Sequence, residues 1–347
     1  MRFNRSIHQL TLLIAVFFGI LTNSGAQDIQ LSQYYNINQL YNPAFTGTAY
    51  ALRASIHQRL QWPSLHARYS TTLISTDYNW KKYNSGIGAV FLYDQQGSSY
   101  IRNYATVFQY SYLAELNSRL SFRGGLSTGL VRRVLSTSEM MLPEQFNGNG
   151  FDKYEGNRFS KNYVDISAGI LLYTDRWWLG ISSNHLNTPN QSFIGEIERL
   201  PLKFDILTGI KIPIKKLATM RYLEATDEDI FALYPTLLYK WQGKSDQLDL
   251  GLYGIYRFVK TGIWYRGIPV KNYHQHLPNH ESLSFVGGLK FSSFSLDYSY
   301  DYVISKLNSY SGGAHEINLT FYYPKNPGKG KHKVKKLPCP HFYGYKN

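Results

Sequence analysis

The residues of this sequence that could perform catalysis or bind a metal are few and scattered. His274, His276 and His280 lie close together beside Glu281, a spacing that a metal ion could use, but a solvated loop is the simpler interpretation. His185 could act as the base of a hydrolase, yet no serine can be assigned as its nucleophile. The chain has no Walker loop, HExxH motif or cysteine pair. We therefore predict no catalytic residue, no metal site, no cofactor and no enzymatic activity.

Charged residues also occur within apolar runs, and they fall on the less apolar side of each run. Such residues could pair with one another inside a barrel, or they could form a transport path or a proton relay. Mutual ion pairing is the simpler interpretation. The residues are Asp165, Asp205, Asp249, Asp297, Asp301, Lys203, Arg257 and Arg266.

The pattern that positions these residues is a strict alternation of apolar and polar side chains. The clearest example runs from Phe294 to Tyr302, where every second residue is aromatic or leucine and the residues between are serine or aspartate. Successive side chains of a β-strand point to opposite faces, so this pattern predicts strands with one apolar face. Fourteen such runs lie between residues 49 and 323, and no convincing amphipathic helix separates them. The chain is predicted to be all-β.

Strand length and loop length favour a membrane barrel over soluble β-sandwiches. Most runs have nine residues or more, as the roughly 9–11 residues of a tilted transmembrane strand require, whereas strands of soluble sheets have about 5–6. Short connections alternate with longer ones at 136–162, 187–199, 269–281 and 305–314. Short periplasmic turns and long exterior loops are typical of outer-membrane barrels. Residues 49–323 are therefore predicted to form a transmembrane antiparallel β-barrel of about 14 strands in the outer membrane of a Gram-negative bacterium.

Aromatic residues near the ends of the predicted strands agree with a barrel, because tyrosine and tryptophan form girdles at the membrane interfaces. A general preference of aromatic residues for strands is the alternative explanation. The residues are Tyr78, Trp80, Tyr110, Tyr112, Tyr173, Trp177, Trp178, Tyr239, Trp241, Tyr322 and Tyr323.

The first 26 residues have the layout of a secretory signal peptide. Arg2 and Arg5 precede an apolar stretch at 10–21, and small residues lead up to a cleavage site between Ala26 and Gln27. An N-terminal membrane anchor is the alternative, but the stretch is shorter than the roughly 20 apolar residues that a transmembrane helix needs. We expect an exported protein that begins at Gln27.

The regions on either side of the barrel are expected on the periplasmic side. Residues 27–48 are polar and aromatic without clean alternation, and they form a periplasmic N-terminal segment that lies at or inside the barrel mouth. Residues 324–347 contain seven lysines, no acidic residue and four prolines, which indicates an extended Lys-rich periplasmic C-terminal tail. Four of its lysines are candidates for binding lipid headgroups or a protein: Lys331, Lys333, Lys335 and Lys336.

The distribution of charge excludes a nucleic-acid-binding surface. The formal charge of the 347 residues is +14, but two positive charges lie in the signal peptide and seven lie after Tyr323. The 28 basic and 23 acidic residues between leave an excess of only +5. The basic character is thus mainly local to the C-terminal tail, and the expected partners are outer-membrane lipid and proteins, with no nucleic acid.

Several motifs carry a resemblance to a known family. The mature start, with LSQY at 31–34 and YNPAFTG at 41–47, and the closing YSYDY at 298–302 with YSGGAHEI at 310–317 resemble PorP/SprF family proteins of Bacteroidetes. The segment QWP at 61–63 is similar to a further marker of this family, as are residues 180–189 and the Pro-Cys-Pro sequence around Cys339. The sequence departs from the family at Ile29 and in the long basic stretch before Cys339.

The resemblance implies a non-enzymatic outer-membrane component of the type IX secretion system. Such proteins accompany the C-terminal domains of secreted cell-surface cargo, often adhesins used in gliding motility, or work with periplasmic components of the machine. On this reading the barrel is an anchor and docking platform, and the N-terminal motif supplies candidates for partner docking or for a plug: Gln33, Tyr34, Asn42, Pro43 and Gly47. The alternative function is a porin-like channel or a substrate-specific outer-membrane transporter.

Overall fold

The computed structural model describes residues 28–49, 52–65, 69–97, 101–136, 158–193, 195–216, 230–256, 258–273, 277–291, 293–305 and 311–323. Within these ranges no helix is long and apolar enough to cross a membrane. The predicted signal peptide, residues 217–229 and the segment 324–347, including its four candidate lysines, lie outside these ranges, as do Gln27, Arg257, His274 and His276.

Fifteen strand segments form one antiparallel sheet, and most are long because alternating or β-branched residues extend over ten or more positions. They are β1 (Leu52–Gln61), β2 (Tyr69–Trp80), β3 (Ser85–Gln96), β4 (Ile101–Glu115), β5 (Ser121–Ser136), β6 (Arg158–Tyr173), β7 (Trp177–Asn184), β8 (Lys203–Ile210), β9 (Ile212–Lys216), β10 (Ile230–Gln242), β11 (Ser245–Tyr256), β12 (Val259–Tyr273), β13 (Leu277–Lys290), β14 (Phe294–Val303) and β15 (Ala314–Tyr323).

The sheet closes on itself, as a sheet in lipid must because an open edge would leave backbone groups without partners. Each strand pairs with its neighbours in sequence, and β15 pairs with β1 from Leu52 opposite Tyr323 to Gln61 opposite Ala314. Segments β8 and β9 are separated only by Lys211 and both pair with β10, so they occupy one barrel position. The prediction of an antiparallel barrel of 14 strands is confirmed.

The connections differ between the two ends of the barrel. One end carries the three long connections 137–157, 185–202 and 304–313, whereas five of the six connections at the opposite end span five residues or fewer. By the loop lengths typical of outer-membrane barrels, the first is the exterior end and the second is the periplasmic end. Strand β1 begins and β15 ends at the periplasmic end.

The prediction of a long exterior loop at 269–281 is wrong. Strand β12 continues to Tyr273 and β13 begins at Leu277, so only three residues connect them. The pairing register shifts around Gly267, whose φ is +141°. Such an irregularity lets a strand continue through residues that normally end a strand. Pro269, which indicated a loop, lies within the shifted stretch between Gly267 and Asn272.

Side chains alternate between a lipid-facing wall and a polar interior. On β14, Phe294, Leu296, Tyr298 and Tyr302 are 37–45% exposed, whereas the serines and aspartates between them are buried. Among the predicted girdle residues, Trp80, Tyr110, Tyr112, Trp177, Trp241 and Tyr323 are exposed. For Tyr173 and Trp178 the prediction of a position in the girdle is wrong. They lie opposite each other on the inward register of β6 and β7 and are buried.

The N-terminal segment, residues 28–49, lies inside the barrel. It contains a 3-10 turn at Tyr34–Asn36, an α-helical turn at Asn38–Tyr41 and a 3-10 turn at Pro43–Phe45. Almost every residue from Leu31 to Ala49 is buried. The structure therefore places this segment in the lumen of the barrel. The sequence analysis expected it at or inside the periplasmic mouth.

A charge placed on the lipid-facing wall tests this assignment of faces. Ile74 lies at the middle of β2 and is 48% exposed, so Ile74→Arg is expected to reduce the free energy of unfolding in lipid vesicles by about 2–4 kcal/mol. Tyr323→Arg, at the end of β15, is the matched control with an expected loss of about 0–1 kcal/mol. Denaturant titration of the reconstituted protein measures both, and equal losses would contradict the assignment.

Candidate functional site

The N-terminal segment crosses the lumen from one end of the barrel to the other. Its first residue, Asp28, contacts His185, Lys203 and Gln242, which lie at the exterior ends of β7, β8 and β10. Its other end, at Gly47, donates a backbone hydrogen bond to Asp77, near the periplasmic end of β2. The start of the segment therefore lies towards the exterior, and its end leads into β1 at the periplasmic side.

Buried carboxylates of β14 and β15 hold the first turn of the segment. The backbone amides of Ser32 and Gln33 donate to the two carboxylate oxygens of Glu316 at 2.7 and 2.9 Å. The hydroxyl of Ser32 donates to Asp301 at 2.6 Å. Arg59 forms ion pairs with both carboxylates. The charges of the wall are thus compensated partly by cations of the wall and partly by backbone donors of the segment.

Aromatic contacts fix the next turn. The Tyr34 hydroxyl donates to Thr236 at 3.1 Å, and the ring of Tyr35 stacks on Trp264 with centroids 5.2 Å apart. The ammonium of Lys260 lies 4.5 Å from the centre of the Tyr35 ring and pairs with Asp297 at 2.5 Å. A desolvated cation over an aromatic ring contributes roughly 2 kcal/mol. This half of the lumen is therefore closed by rings as well as by ion pairs.

Asn42 and Pro43 pack directly against the backbone of the wall. The Asn42 side chain donates to the carbonyls of Ile170 and Ile181 at 3.0 and 3.3 Å and caps the turn at Ala44. This approach requires glycine on β6, because a Cβ at Gly169 would lie 2.1 Å from the Asn42 side-chain oxygen. Any side chain larger than hydrogen at residue 169 would therefore clash with Asn42.

Gly47 ends the segment at the periplasmic side. Its φ of +67° is readily adopted only by glycine among common residues, and a Cβ there would lie 2.4 Å from the Cα of Gly86 on β3. Nearby, the carbonyl of Thr46 accepts hydrogen bonds from Ser111 and from Arg123. The chain can therefore turn into β1 only by touching β3, β4 and β5.

An ion-pair cluster holds the exterior start of the segment. Asp28 accepts from His185 Nε2 at 2.9 Å and from Lys203 at 3.1 Å, while Nδ1 of His185 lies 2.9 Å from Asp165. Burial would lower the pKa of His185, but the carboxylates of Asp28 and Asp165 outweigh that effect and raise the pKa to about 10. Burial would raise the pKa of Asp28, yet Lys203 and His185 hold it well below its usual range. His185 is therefore an imidazolium that bridges two carboxylates at neutral pH.

A cavity remains between the segment and the inner wall of β3–β6. Its volume, counting space open to solvent, is about 1160 Å³. Residues of the segment, including Ile29 and Tyr41, form one side, and Arg133 and His185 lie at its exterior end. The lumen is thus filled on the side of β10–β15 and leaves room on the opposite side.

The five motif residues expected to dock a partner or plug the barrel, Gln33, Tyr34, Asn42, Pro43 and Gly47, all lie buried in the lumen. Each contacts a wall strand, so the structure brings them together along one path. Their part in binding a partner stays a prediction. The cleavage-site residues Ala26 and Gln27 lie outside the described residues. Of the three clustered histidines only His280 is described, and its ring accepts from or donates to the Tyr265 hydroxyl.

The charged residues expected to face inward do so where the structure describes them, which leaves out Arg257. Asp205, Asp249, Asp297, Asp301, Lys203 and Arg266 are buried, and Arg266 pairs with Asp249 at 3.2 Å and with Asp301 at 3.7 Å. Sequence analysis did not single out the basic partners on β1. Arg53, His57 and Arg59 fall on alternate positions and are all buried. Their even spacing along the predicted strand places them on one face, and this pattern could have identified them from the sequence.

Comparisons with known proteins agree with the fold and with the sequence motifs. Residues 23–321 match the family described as type IX secretion system membrane protein PorP/SprF, which confirms the resemblance. No curated protein matches the sequence significantly.

Similar solved structures are outer-membrane barrels at low identity. The P. putida toluene transporter TodX has 9% identity and a TM-score of 0.48, covering 84% of this chain and 94% of that chain. The Ralstonia pickettii toluene transporter TbuX has 11% identity and a TM-score of 0.46, covering 86% and 93%. The Acinetobacter baumannii outer membrane protein Omp33 has 7% identity and a TM-score of 0.42, covering 80% and 100%.

The contact between Asn42 and Gly169 predicts a steric effect. Gly169→Ala places a methyl group against Asn42 and is expected to lower the free energy of unfolding by about 1–3 kcal/mol. Gly287→Ala on the lipid-facing side of β13 is the matched control, because nothing lies within 4 Å of its Cβ position. Denaturant titration and protease digestion of the reconstituted protein compare the two. A Gly169→Ala variant as stable and as protease-resistant as the control would contradict the packing described.

The raised pKa of His185 predicts a pH dependence. Because it exceeds the ordinary value of 6.5, the ion pair with Asp28 stabilises the bound segment fully below about pH 6.5, and its contribution is lost as the pH rises through about 10. Ring ¹⁵N NMR of the protein in nanodiscs should show this titration. Asp28→Asn should shift it to lower pH, and a native midpoint near 6.5 would disprove the cluster.

Proposed function

Because the chain belongs to the PorP/SprF family of type IX secretion system membrane proteins, we propose that it is a non-enzymatic anchor and docking platform of this system in the outer membrane. Its partners are the C-terminal domains of secreted cell-surface cargo, of the adhesin type used in gliding, or periplasmic components of the machine. The barrel holds the binding surface in the membrane and the secreted chain passes elsewhere.

The observation that supports this proposal most directly is the filled lumen. The N-terminal segment bonds to Glu316 on one side of the barrel and to Ile170 on the other, and it extends through the depth of the wall. The partly exposed ion pairs of Asp28 with His185 and Lys203 and several buried hydrogen bonds would have to break before a polypeptide could enter. Each buried polar group left without a partner costs about 1–3 kcal/mol, so a passage for secreted protein is an unfavourable use of this barrel.

A second candidate function is a narrow channel for a small solute. The cavity of about 1160 Å³ beside the segment favours it, since a solute could pass there if the segment shifted. The cavity lies mainly along the wall of β3–β6, also touches the exterior ends of β7 and β8, and ends against the segment near Gln109. A channel would therefore require the segment to move, whereas a docking platform would not.

Two measurements on the full-length mature protein separate these functions. In planar bilayers we expect no stable current from the native protein, and steady currents from a variant that lacks residues 28–46. Affinity purification from the native outer membrane should recover type IX cargo or periplasmic components. Stable native currents without such partners would favour the channel, and normal export and surface retention of every type IX cargo in a gene deletion would disprove the platform.

A further inference from the structure

The cavity beside the N-terminal segment has the composition of a site for a small amphipathic molecule. Its lining combines polar and charged residues with an aliphatic strip formed by Leu92, Ala105, Val107 and Val131 on β3–β5 and by Leu40 on the segment. Small-molecule sites usually occupy about 300–1,000 Å³ and combine an apolar lining with a few polar groups. The cavity shows this combination, since Arg133 and His185 lie at its exterior end beside the aliphatic residues.

The depth of the cavity follows from the positions that line it. On β5 its inward residues run from Arg133 to Ser127, which corresponds to about 20 Å along the strand. Gly129 lies midway, where a Cβ would meet only the side chain of Val107 at 3.3 Å and Asp165 beyond it. The cavity is thus an elongated slot that has a glycine among its inward positions on β5.

The charges around the slot are compensated with one exception. Asp28 and Asp165 are paired with His185 and Lys203. Arg133 is 9% exposed, and among the described residues it makes no ion pair. Its guanidinium donates to the neutral amide of Gln191 at 2.8 Å and lies 5.3 Å from the ring centre of Phe193. Within the part of the chain that the structure describes, this buried cation is held only by neutral groups and lacks the anion that usually accompanies such a charge.

From these observations we propose that the slot binds a small amphipathic carboxylate. The carboxylate pairs with Arg133 at the exterior end, and the apolar body lies along Val131 and Val107 towards the segment. Arginine suits this role because its planar donors match a carboxylate. The proposal goes beyond the anchoring function and does not depend on it. Binding of a ligand in the slot is compatible with an anchor and with a channel, and the lack of binding is compatible with both as well.

The test uses the full-length mature protein in lipid nanodiscs with radiolabelled decanoate as the probe. We expect saturable binding of about one equivalent above the uptake of empty nanodiscs. Gly129→Trp and, as a second filling variant, Val131→Trp should abolish it. Leu130→Trp is the matched control, because Leu130 is the neighbouring lipid-facing residue and is 61% exposed. Migration of unheated samples on gels identifies the folded variants, and only those are compared.

The charge of the head group is tested separately. Arg133→Gln should weaken decanoate binding by about tenfold or more, whereas Arg132→Gln, on the outward face of the same strand, should leave it unchanged. Decylammonium should not compete with decanoate. Uptake that remains equal in the folded filling variants and the control would overturn the site. Equal binding by Arg133→Gln, or competition by decylammonium, would overturn the assignment of the carboxylate to Arg133.

Discussion

Charges inside a closed barrel have to be compensated where they lie, and the rest of this structure depends on that constraint. Glu316 and Asp301 are buried on neighbouring strands, and Arg59 alone does not satisfy their four oxygens. His57 and Arg266 of the wall lie within ion-pair distance of them, and the segment adds further donors through Ser32 and Gln33. A polar interior of this kind disfavours an empty lumen, because an unpartnered buried polar group costs about 1–3 kcal/mol. The wall and the segment are therefore one polar core.

The outward side of the barrel obeys a simpler rule, and the sequence reveals it directly. The alternation from Phe294 to Tyr302 predicted both faces of β14 correctly, since lipid accepts only apolar side chains along the outward register. The same rule does not fix where a strand ends beyond the membrane. Residues 269–281 contain prolines and asparagines that normally indicate a loop, yet a hairpin that extends past the lipid can carry them with a register shift at Gly267.

The interior could be predicted only in part. Inward carboxylates such as Asp249 and Asp301 were recognisable because they interrupt apolar runs, but their partners lie far away in sequence. The bond from Ser32 to Asp301 joins residues 269 positions apart, and no local pattern encodes it. The placement of the segment likewise depends on glycines such as Gly169. The need for glycine at this position becomes clear only from its contact with Asn42 in the structure. Family motifs marked these residues as candidates for docking or for a plug, without distinguishing between the two.

The path of the segment changes the topology of the chain. A barrel with an even number of strands returns a polypeptide to the side of the membrane from which it started, and β1 and β15 accordingly meet at the periplasmic end. The segment adds one further crossing within the lumen, from Asp28 at the exterior end to Gly47. The number of crossings is therefore odd. An epitope fused just before Asp28 and one fused just after Tyr323 would lie on opposite faces of the outer membrane.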